Sequence, residues 1–600
     1  MTGDRPSPRG GDLAPWLVLG VMAAGLTLLA VVWAGGTLGA AATGGGWHPP
    51  SFSLATLAAF LRGGPAALWP DAPAAGPIAG MLAATAALAA PLAPAARWLG
   101  RRRPRGGLAA VAQVADLTRS GMAERARLLR PSLAGADEID AREVGIRLGD
   151  MEPHGPALYA SWEDTLLALM GPRSGKTSAV AVPTVLRAPG PVVVTSVRED
   201  VYTLTATAQA RRTGPEDGRP AQLWALDPQH IAFLPRDWWF DILAEARTFE
   251  GAWRLGGHFI SLLGDSDRLT SDFWLSAARA LLTGMFLSAS RAGRPVSQVL
   301  RWLGNPADTE PLDALRGHPV GADLRSRMDA AVETRDGIYQ TAREAVSCLL
   351  DPDILAWVTP PAPTDTTKVR RFDPDAFVAG RDTLYLLSKK GTASAAGIVA
   401  ALTDAVLRAA ERRADRSAGR LDPPLTVILD EAANVCRIAD LPDMYSYMGG
   451  KGVILITIIQ NYPQGQAAWG KTGMAALWNA STVKLIGAGV DDPRLAEDVS
   501  KLIGEHDVPV RSVSYGGRQG RSTSTTPQLR RIVPPDKVRS LRRGHAFLFA
   551  TGHPVTLLRL RPWFGEPDAD RLRADLTRQR DLLKARAECA TSAADPHRQA

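Results

Sequence analysis

The chain has 600 residues, which is too long for one compact core and indicates several domains. Its net charge of +8 is a mild basic bias that suits phosphate-rich partners or an anionic membrane face. The three cysteines, Cys348, Cys436 and Cys589, lie far apart without C-x-x-C spacing, which argues against a zinc site and against a disulfide framework.

The first hundred residues have the pattern of a membrane anchor. Residues 14–34 carry no charge and are long enough to cross about 30 Å of hydrocarbon. A second, alanine-rich run over residues 76–99 ends at a block of arginines, residues 101–105, which the positive-inside rule places in the cytoplasm. We therefore predict two transmembrane helices within residues 1–106, in a multi-pass plasma-membrane protein whose remaining domains are cytoplasmic. A cleaved signal peptide is the alternative for the first run.

A phosphate-binding loop follows the apolar run of residues 166–170. Its members are Gly171, Pro172, Arg173, Ser174, Gly175, Lys176, Thr177 and Ser178. In such a loop, backbone N–H groups face the phosphates, the lysine neutralises β- and γ-phosphate oxygens, and the threonine hydroxyl binds Mg²⁺. The strict pattern G-x-x-x-x-G-K-T fails at its first position, where this chain has Met170. The segment predicts a site for ATP and Mg²⁺.

Two further strands end in polar residues that complete such a site. The run 425–429 precedes Asp430 and Glu431, which predicts Asp430 as a ligand of Mg²⁺ and Glu431 as the base for the attacking water. The run 452–459 precedes Gln460, which we predict to sense the γ-phosphate. The alternative for each run is an ordinary strand with a polar carboxyl end.

The other apolar runs predict an α/β fold with a mainly parallel sheet and helices on both faces. They lie at residues 192–195, 222–226, 383–387 and 483–486. Helical periodicity over residues 244–365 predicts an inserted all-helical domain, so that the P-loop ATPase domain consists of residues 107–243 and 366–565. Residues 566–600 predict a charged helix with a flexible tail. Residues 515–526 predict a loop, either flexible and exposed or in contact with nucleic acid through Arg518 and Arg521.

Together these motifs resemble one family, the coupling proteins of type IV secretion and bacterial conjugation. The motifs are R-S-G-K-T in the loop, SVREDVYTLTA at residues 196–206, LDEA at residues 429–432, IQN at residues 459–461 with Gln464, and WGKTGMAALWN at residues 469–479. The resemblance runs to about residue 564. It implies a membrane-anchored homo-hexamer in which a RecA-like P-loop ATPase domain drives a DNA strand with its attached relaxase into a secretion channel.

One position departs from that family. Relatives tend to carry an arginine just before the third strand, where this chain has Lys451. Lysine cannot make the same bidentate contact, so a role for Lys451 across a subunit interface is in doubt, and Arg494 is a candidate substitute.

Three other functions fit parts of the pattern. A chromosome-partitioning DNA translocase would share the membrane helices and the RecA-like hexamer. A docking platform would recruit protein substrates and hydrolyse little ATP, which the intact Lys176, Thr177, Asp430 and Glu431 argue against. Export of protein in place of DNA is the third, because the sequence does not identify the substrate surface.

Overall fold

The computed structural model describes residues 25–89, 107–212, 220–263, 271–362, 368–391, 394–516 and 520–594. The chain divides into two compact units, Met1–Arg103 and Pro104–Ala600. Each is presented separately below.

The N-terminal unit contains three helices in its described part, α1 (Gly25–Ala42), α2 (Leu54–Gly63) and α3 (Ala75–Ala89). Only α1 among the described helices is long and apolar enough to cross a membrane. Parts of the predicted anchor, residues 14–24, 90–99 and the arginine block 101–105, lie outside the described residues.

Helix α1 continues to Ala42, beyond residue 34 where the first span is predicted to end. Its glycines let α1 and α3 pack closely. A Cβ atom on Gly39 would lie 2.1 Å from the carbonyl oxygen of Gly76, and one on Gly80 would lie 2.1 Å from that of Gly35. Small residues therefore continue the helix and form its packing face.

The larger unit is built on a mixed sheet. The strands are β1 (Ile146–Met151), β2 (Ala157–Ala160), β3 (Leu166–Leu169), β4 (Val192–Ser196), β5 (Leu223–Leu226), β6 (Trp238–Trp239), β7 (Arg370–Arg371), β8 (Thr383–Leu387), β9 (Leu425–Asp430), β10 (Val453–Ile459), β11 (Val483–Gly487), β12 (Glu505–Gly516), β13 (Gly520–Arg531), β14 (His545–Ala550) and β15 (Thr556–Arg559). Eleven of them form one sheet in the order β2-β1-β15-β14-β11-β3-β10-β9-β4-β8-β5. The strands from β11 to β5 are parallel, while β14, β15, β1 and β2 extend the sheet in antiparallel fashion.

Helices cover this sheet. They are α4 (Arg119–Leu129), α5 (Val182–Arg187), α6 (Asp200–Ala210), α7 (Phe249–Ile260), α8 (Ser271–Arg291), α9 (Val296–Gly304), α10 (Glu310–Ala314), α11 (Pro319–Met328), α12 (Val332–Ala345), α13 (Pro352–Ala356), α14 (Pro374–Phe377), α15 (Ala396–Arg416), α16 (Ala432–Val435), α17 (Leu441–Met444), α18 (Tyr462–Ala480), α19 (Pro493–Ile503), α20 (Pro535–Arg539) and α21 (Ala569–Ala594). Strands β3, β9 and β10 are buried along their whole length, which explains their continuous apolar sequences. The predicted α/β fold with a mainly parallel sheet is confirmed.

The helices α7 to α13 lie between β6 and β7 in the chain, where the all-helical insertion is predicted. The long helix α8 provides much of their core, since Leu281, Leu282, Met285 and Phe286 are fully buried. The aromatic and aliphatic stripe of that helix is therefore packing surface.

The segment predicted as a loop at residues 515–526 instead belongs to a two-stranded ribbon. Strands β12 and β13 pair antiparallel from Glu505 opposite Arg531 to Gly516 opposite Gly520. The loop prediction is wrong because the segment carries three β-branched threonines, at positions 523, 525 and 526, and threonine favours extended strands. Arg521 lies in β13, and Arg518 lies outside the described residues.

Candidate nucleotide site

The predicted site residues meet at one edge of the sheet. Because β3, β10 and β9 are adjacent and parallel, their carboxyl ends lie side by side. The phosphate-loop residues follow β3, Asp430 and Glu431 end β9, and Gln460 follows β10. Ligands of parallel α/β sheets bind at this edge.

The loop after β3 is held by contacts with neighbouring strands. The N–H of Gly171 donates to the carbonyl of Ala488 at 3.0 Å, and a Cβ atom at Gly171 would lie 2.4 Å from the carbonyl oxygen of Gly489. Glycine is therefore required at position 171, and Met170, fully buried with its N–H bonded to Ile459, still belongs to the strand. The missing first glycine of the strict motif has thus moved one residue along the chain.

The loop ends in a left-handed residue that starts a helix. Gly175 has φ +97°, and the chain then forms a π-helical segment, Lys176–Ala181, that continues into α5. The first N–H groups of a helix have no partner within it, so this segment offers donors to an anion. Lys176 and Thr177 lie in its first turn.

Asp430 lies beside Thr177 in a buried position. The Thr177 hydroxyl donates to Asp430 Oδ2 at 3.3 Å, and Lys176 Nζ lies 3.9 Å from Oδ1. Oδ1 is buried, and no described residue donates a hydrogen bond to it. Burial raises the pKa of Asp430 to about 6 against the attraction of Lys176, and the charge of Glu431 adds to the rise. The site thus holds a buried carboxylate whose hydrogen-bonding capacity is incomplete.

Glu431 occupies a strained backbone position. Its φ of 55° is left-handed, which costs a non-glycine residue about 1 kcal/mol or more and turns its side chain from the strand toward the loop. Lys176 Nζ lies 2.8 Å from its Oε1, and Gln460 Nε2 donates to the same oxygen at 2.9 Å. On the other oxygen, Asn434 Nδ2 donates at 3.1 Å.

Lys390 is a site residue that the sequence did not identify. It follows β8, and its Nζ lies 2.5 Å from Glu431 Oε2. Burial opposes ionisation of Glu431, but the hydrogen bonds from Lys176 and Lys390 outweigh it and lower the pKa of Glu431 to about 2. The only sequence signal was a lysine shortly after a predicted strand. Its place beside Glu431 depends on the strand order β9-β4-β8.

These side chains surround a cavity of about 670 Å³. Four cationic residues, Arg173, Lys176, Arg198 and Lys390, and three carboxylates, Asp200, Asp430 and Glu431, line it. The Thr177 hydroxyl and the incomplete Asp430 carboxylate are hard oxygen donors of the kind that Mg²⁺ prefers, and the lysines suit phosphate oxygens. The residues present fit a magnesium–nucleotide complex.

The two candidates for a role between subunits lie elsewhere. Lys451 pairs with Asp415 at 2.7 Å and with Glu411 at 3.2 Å, both in α15 of the same chain. Arg494 is exposed in the first turn of α19. Neither lines the cavity.

Comparison with known proteins connects this fold with one group. A family model described as "TraM recognition site of TraD and TraG" matches residues 424–543, which include Asp430, Glu431 and Gln460. The chain is 24% identical to the conjugal transfer protein TraG of Agrobacterium fabrum over 422 residues and 23% identical to a probable TraG of Sinorhizobium fredii over 414 residues. The chain is similar in sequence to these conjugal transfer proteins.

The two TraG alignments each cover 66% of this chain. The chain spans about three fifths of the length of these two relatives, 59% and 61%. Among solved structures, the unbound conjugative coupling protein TrwBdeltaN70 matches with a TM-score of 0.50, 18% identity and coverage of 72% of this chain and 92% of that one. TrwB in complex with the ATP analogue ADPNP matches with a TM-score of 0.50, 17% identity and coverage of 72% and 93%. At these identities the likeness establishes the fold.

Proposed function

We propose that the chain is a membrane-anchored, Mg²⁺-dependent ATPase that drives a DNA strand with its attached relaxase into a conjugative secretion channel. The convergence of Lys176, Thr177, Asp430 and Glu431 on one cavity is the observation that supports hydrolysis. The conjugal transfer proteins among its relatives support the process, and the ATP analogue bound to TrwB supports the nucleotide.

Each site residue has a role in this proposal. Thr177 and Asp430 would hold Mg²⁺, which would supply positive charge to stabilise the transferred phosphate. Lys176 contacts the phosphates, Glu431 accepts a proton from the attacking water, and Gln460 positions the γ-phosphate region.

The ion pairs around Glu431 link nucleotide binding to its role as a base. Lys176 Nζ is bonded to Glu431 Oε1 at 2.8 Å, so it must leave that carboxylate in order to reach a phosphate. A carboxylate that loses a cationic partner becomes more basic, since the partner had lowered its pKa. Binding of the nucleotide therefore converts Glu431 from a saturated ion-pair partner into a proton acceptor.

The membrane and the partners complete the proposal. Helix α1 supplies one span, and a second over residues 76–99 would make the anchor multi-pass. The ATPase would then face the cytoplasm and assemble as a homo-hexamer, with DNA, the relaxase and the channel proteins as partners. The match to a TraM recognition site over residues 424–543 favours contact with a TraM-like protein through this part of the chain.

The test is ATP hydrolysis by the full-length chain in detergent, with and without single-stranded and double-stranded DNA. We expect hydrolysis to require Mg²⁺, to rise with DNA, and to fall by about 100-fold or more in Lys176→Ala and Glu431→Gln. Lys537→Ala, which removes an exposed lysine far from the cavity in sequence, is the matched control. Equal hydrolysis by all four chains would contradict the assignment, and folded chains without any hydrolysis would support a docking platform.

A further inference from the structure

A second charged cavity, of about 450 Å³, lies at the opposite edge of the sheet. It is formed by the residues before β4 and β8, the end of α6 and the start of α21. Helix α6 begins at the nucleotide cavity, where Asp200 and Leu204 line the wall, and ends at this second cavity. Its 11 residues span about 16 Å, so the two cavities are separate.

Arginines dominate the lining of this cavity. They are Arg142, Arg187, Arg211, Arg212, Arg381 and Arg571. The lining carboxylates are three, Glu143, Asp568 and Asp575, which leaves an excess of three positive charges. A concave surface with such an excess attracts anions.

The three carboxylates are already engaged. Glu143 pairs with Arg130, and Asp568 pairs with Arg142 at 3.0 Å. Asp575, whose side chain is almost fully buried, accepts from both terminal nitrogens of Arg211 at 2.8 and 3.0 Å. They are therefore not available to neutralise the other arginines.

Three of the lining arginines, Arg212, Arg381 and Arg571, form no ion pair with a described carboxylate. Arg571 is exposed, whereas Arg212 and Arg381 are half-buried. Arg212 donates to the Gln209 side chain at 2.6 Å and to the Gly190 carbonyl at 2.7 Å, and both acceptors are neutral. Arg381 Nε is buried and makes no hydrogen bond with the described residues. Two cationic groups are thus held beside one cavity without an ion-pair partner among the carboxylates that the structure describes.

The charges of Arg212 and Arg381 repel each other across the cavity. Burial and the nearby charge of Arg381 lower the pKa of Arg212 to about 10, and the more distant Glu143 and Asp382 offset this only in part. Two half-buried like charges repel one another, and an anion between them would relieve this repulsion.

We propose that this cavity binds a small phosphate-bearing anion, with the guanidiniums of Arg212 and Arg381 as its principal donors. A planar guanidinium presents paired N–H groups that match two phosphate oxygens. Two linked phosphate groups carry roughly three to four negative charges at neutral pH, which balances the excess in the lining. The ligand class is therefore a pyrophosphate group, free or as part of a nucleotide. This proposal does not depend on the function proposed for the first cavity.

The experiment is calorimetric titration of pyrophosphate into the full-length chain in the Lys176→Ala background, at constant ionic strength. That background weakens phosphate binding at the nucleotide cavity. We expect Arg381→Gln to lower the remaining affinity about tenfold or more, because one charge-assisted contact is lost. Arg543→Gln, which removes an exposed arginine outside the cavity, should leave it unchanged.

Two further arms make the result decisive. Arg571→Gln, at an exposed position on α21, should weaken binding even where Arg381→Gln fails to fold. ADP in place of pyrophosphate tells whether the phosphates arrive on a nucleotide, and a dependence on Arg381 with either ligand supports the site. Equal binding by the Arg381→Gln, Arg571→Gln and Arg543→Gln chains, or no binding in the Lys176→Ala background, would overturn the proposal.

Discussion

Asp404 and Asp430 are almost equally removed from solvent, at 5% and 4% exposure, but their surroundings differ. Arg254 Nε in α7 and Arg408 Nε in α15 donate to the two carboxylate oxygens of Asp404 at 3.2 and 3.3 Å, and His258 Nε2 lies 3.4 Å away. Burial alone would raise the pKa of Asp404, yet these neighbours lower it to about 2. Asp404 is a completed ionic link between two helices.

Asp430 has the opposite character. It accepts one hydrogen bond, from Thr177, its second oxygen is buried without a donor among the described residues, and the adjacent Glu431 adds negative charge. Its pKa is raised, while that of Asp404 is lowered. Equal burial therefore does not mark a functional carboxylate, whereas an incomplete set of partners does. The two residues also predict opposite consequences of the same substitution.

Asp430→Asn should have the largest effect of these substitutions. It should reduce ATP hydrolysis without lowering the stability of the fold. Loss of the carboxylate removes a ligand of Mg²⁺, and metal stabilisation of transferred phosphate is worth several kcal/mol, so we expect hydrolysis to fall about 10³-fold. Without nucleotide and Mg²⁺, the free energy of unfolding should stay the same or rise by about 1 kcal/mol, since a buried charge with an incomplete set of partners is removed. Hydrolysis assays and urea unfolding measure the two. A clear loss of stability with hydrolysis retained would contradict this prediction and would give Asp430 a structural role like that of Asp404.

Asp404→Asn should show the converse. Two arginines would lose their anionic partner in a buried position, which we expect to lower the free energy of unfolding by about 3 kcal/mol. Hydrolysis per folded molecule should change less than about twofold, because Asp404 does not line the nucleotide cavity. Asp415→Asn in the same helix is the control. Its carboxylate is 59% exposed, so its loss should cost no more than about 1 kcal/mol. Equal losses in both variants would contradict the special role of Asp404.

The sequence predicted one of these carboxylates and missed the other for a physical reason. Asp430 follows a continuous apolar strand, and the carboxyl ends of parallel strands meet, so its position in a site was predictable from local sequence. Asp404 lies on a helix whose partners, Arg254 and His258, are about 150 residues earlier in the chain. Only the packing of α7 against α15 brings them together.

The same limit applies to the fold and to the rest of the site. Strands β3, β9 and β10 were predicted because burial on both faces makes them uniformly apolar. The antiparallel strands at the other edge, β1, β2, β14 and β15, were not predicted, because short half-buried strands carry a weak periodic signal. Lys390 was missed because its place beside Glu431 depends on the order of β8, β4 and β9 in the sheet. The residues around Lys390 in the sequence do not reveal that order.

The pH dependence of stability sharpens the comparison between the two aspartates. Because the folded pKa of Asp404 is below its ordinary value, its contribution is complete above about pH 4 and is lost as the pH falls from about 4 to about 2. The asparagine variant resembles the protonated side chain in shape. The difference in free energy of unfolding between the wild-type chain and Asp404→Asn should therefore shrink by about 2 kcal/mol across this range. Urea unfolding at several pH values measures this difference, and an advantage independent of pH would show that the ionic link is not its source.

Lys390→Gln should have the smallest effect on hydrolysis. It tests whether the two lysines that contact Glu431, Lys176 and Lys390, have different roles. In the proposed mechanism Lys176 leaves Glu431 when nucleotide binds, whereas Lys390, 2.5 Å from Glu431 Oε2, keeps its contact and holds the carboxylate in position. We expect kcat to fall about tenfold with little change in KM for ATP, because one charge-assisted contact is lost without loss of a phosphate contact. Lys176→Ala should instead weaken nucleotide binding. The neighbouring Lys389→Gln removes an exposed lysine that does not line the cavity, and its kinetics should match the wild type. If Lys390→Gln raised KM and left kcat unchanged, Lys390 would be a phosphate ligand. Its contact with Glu431 would then have no part in positioning the base.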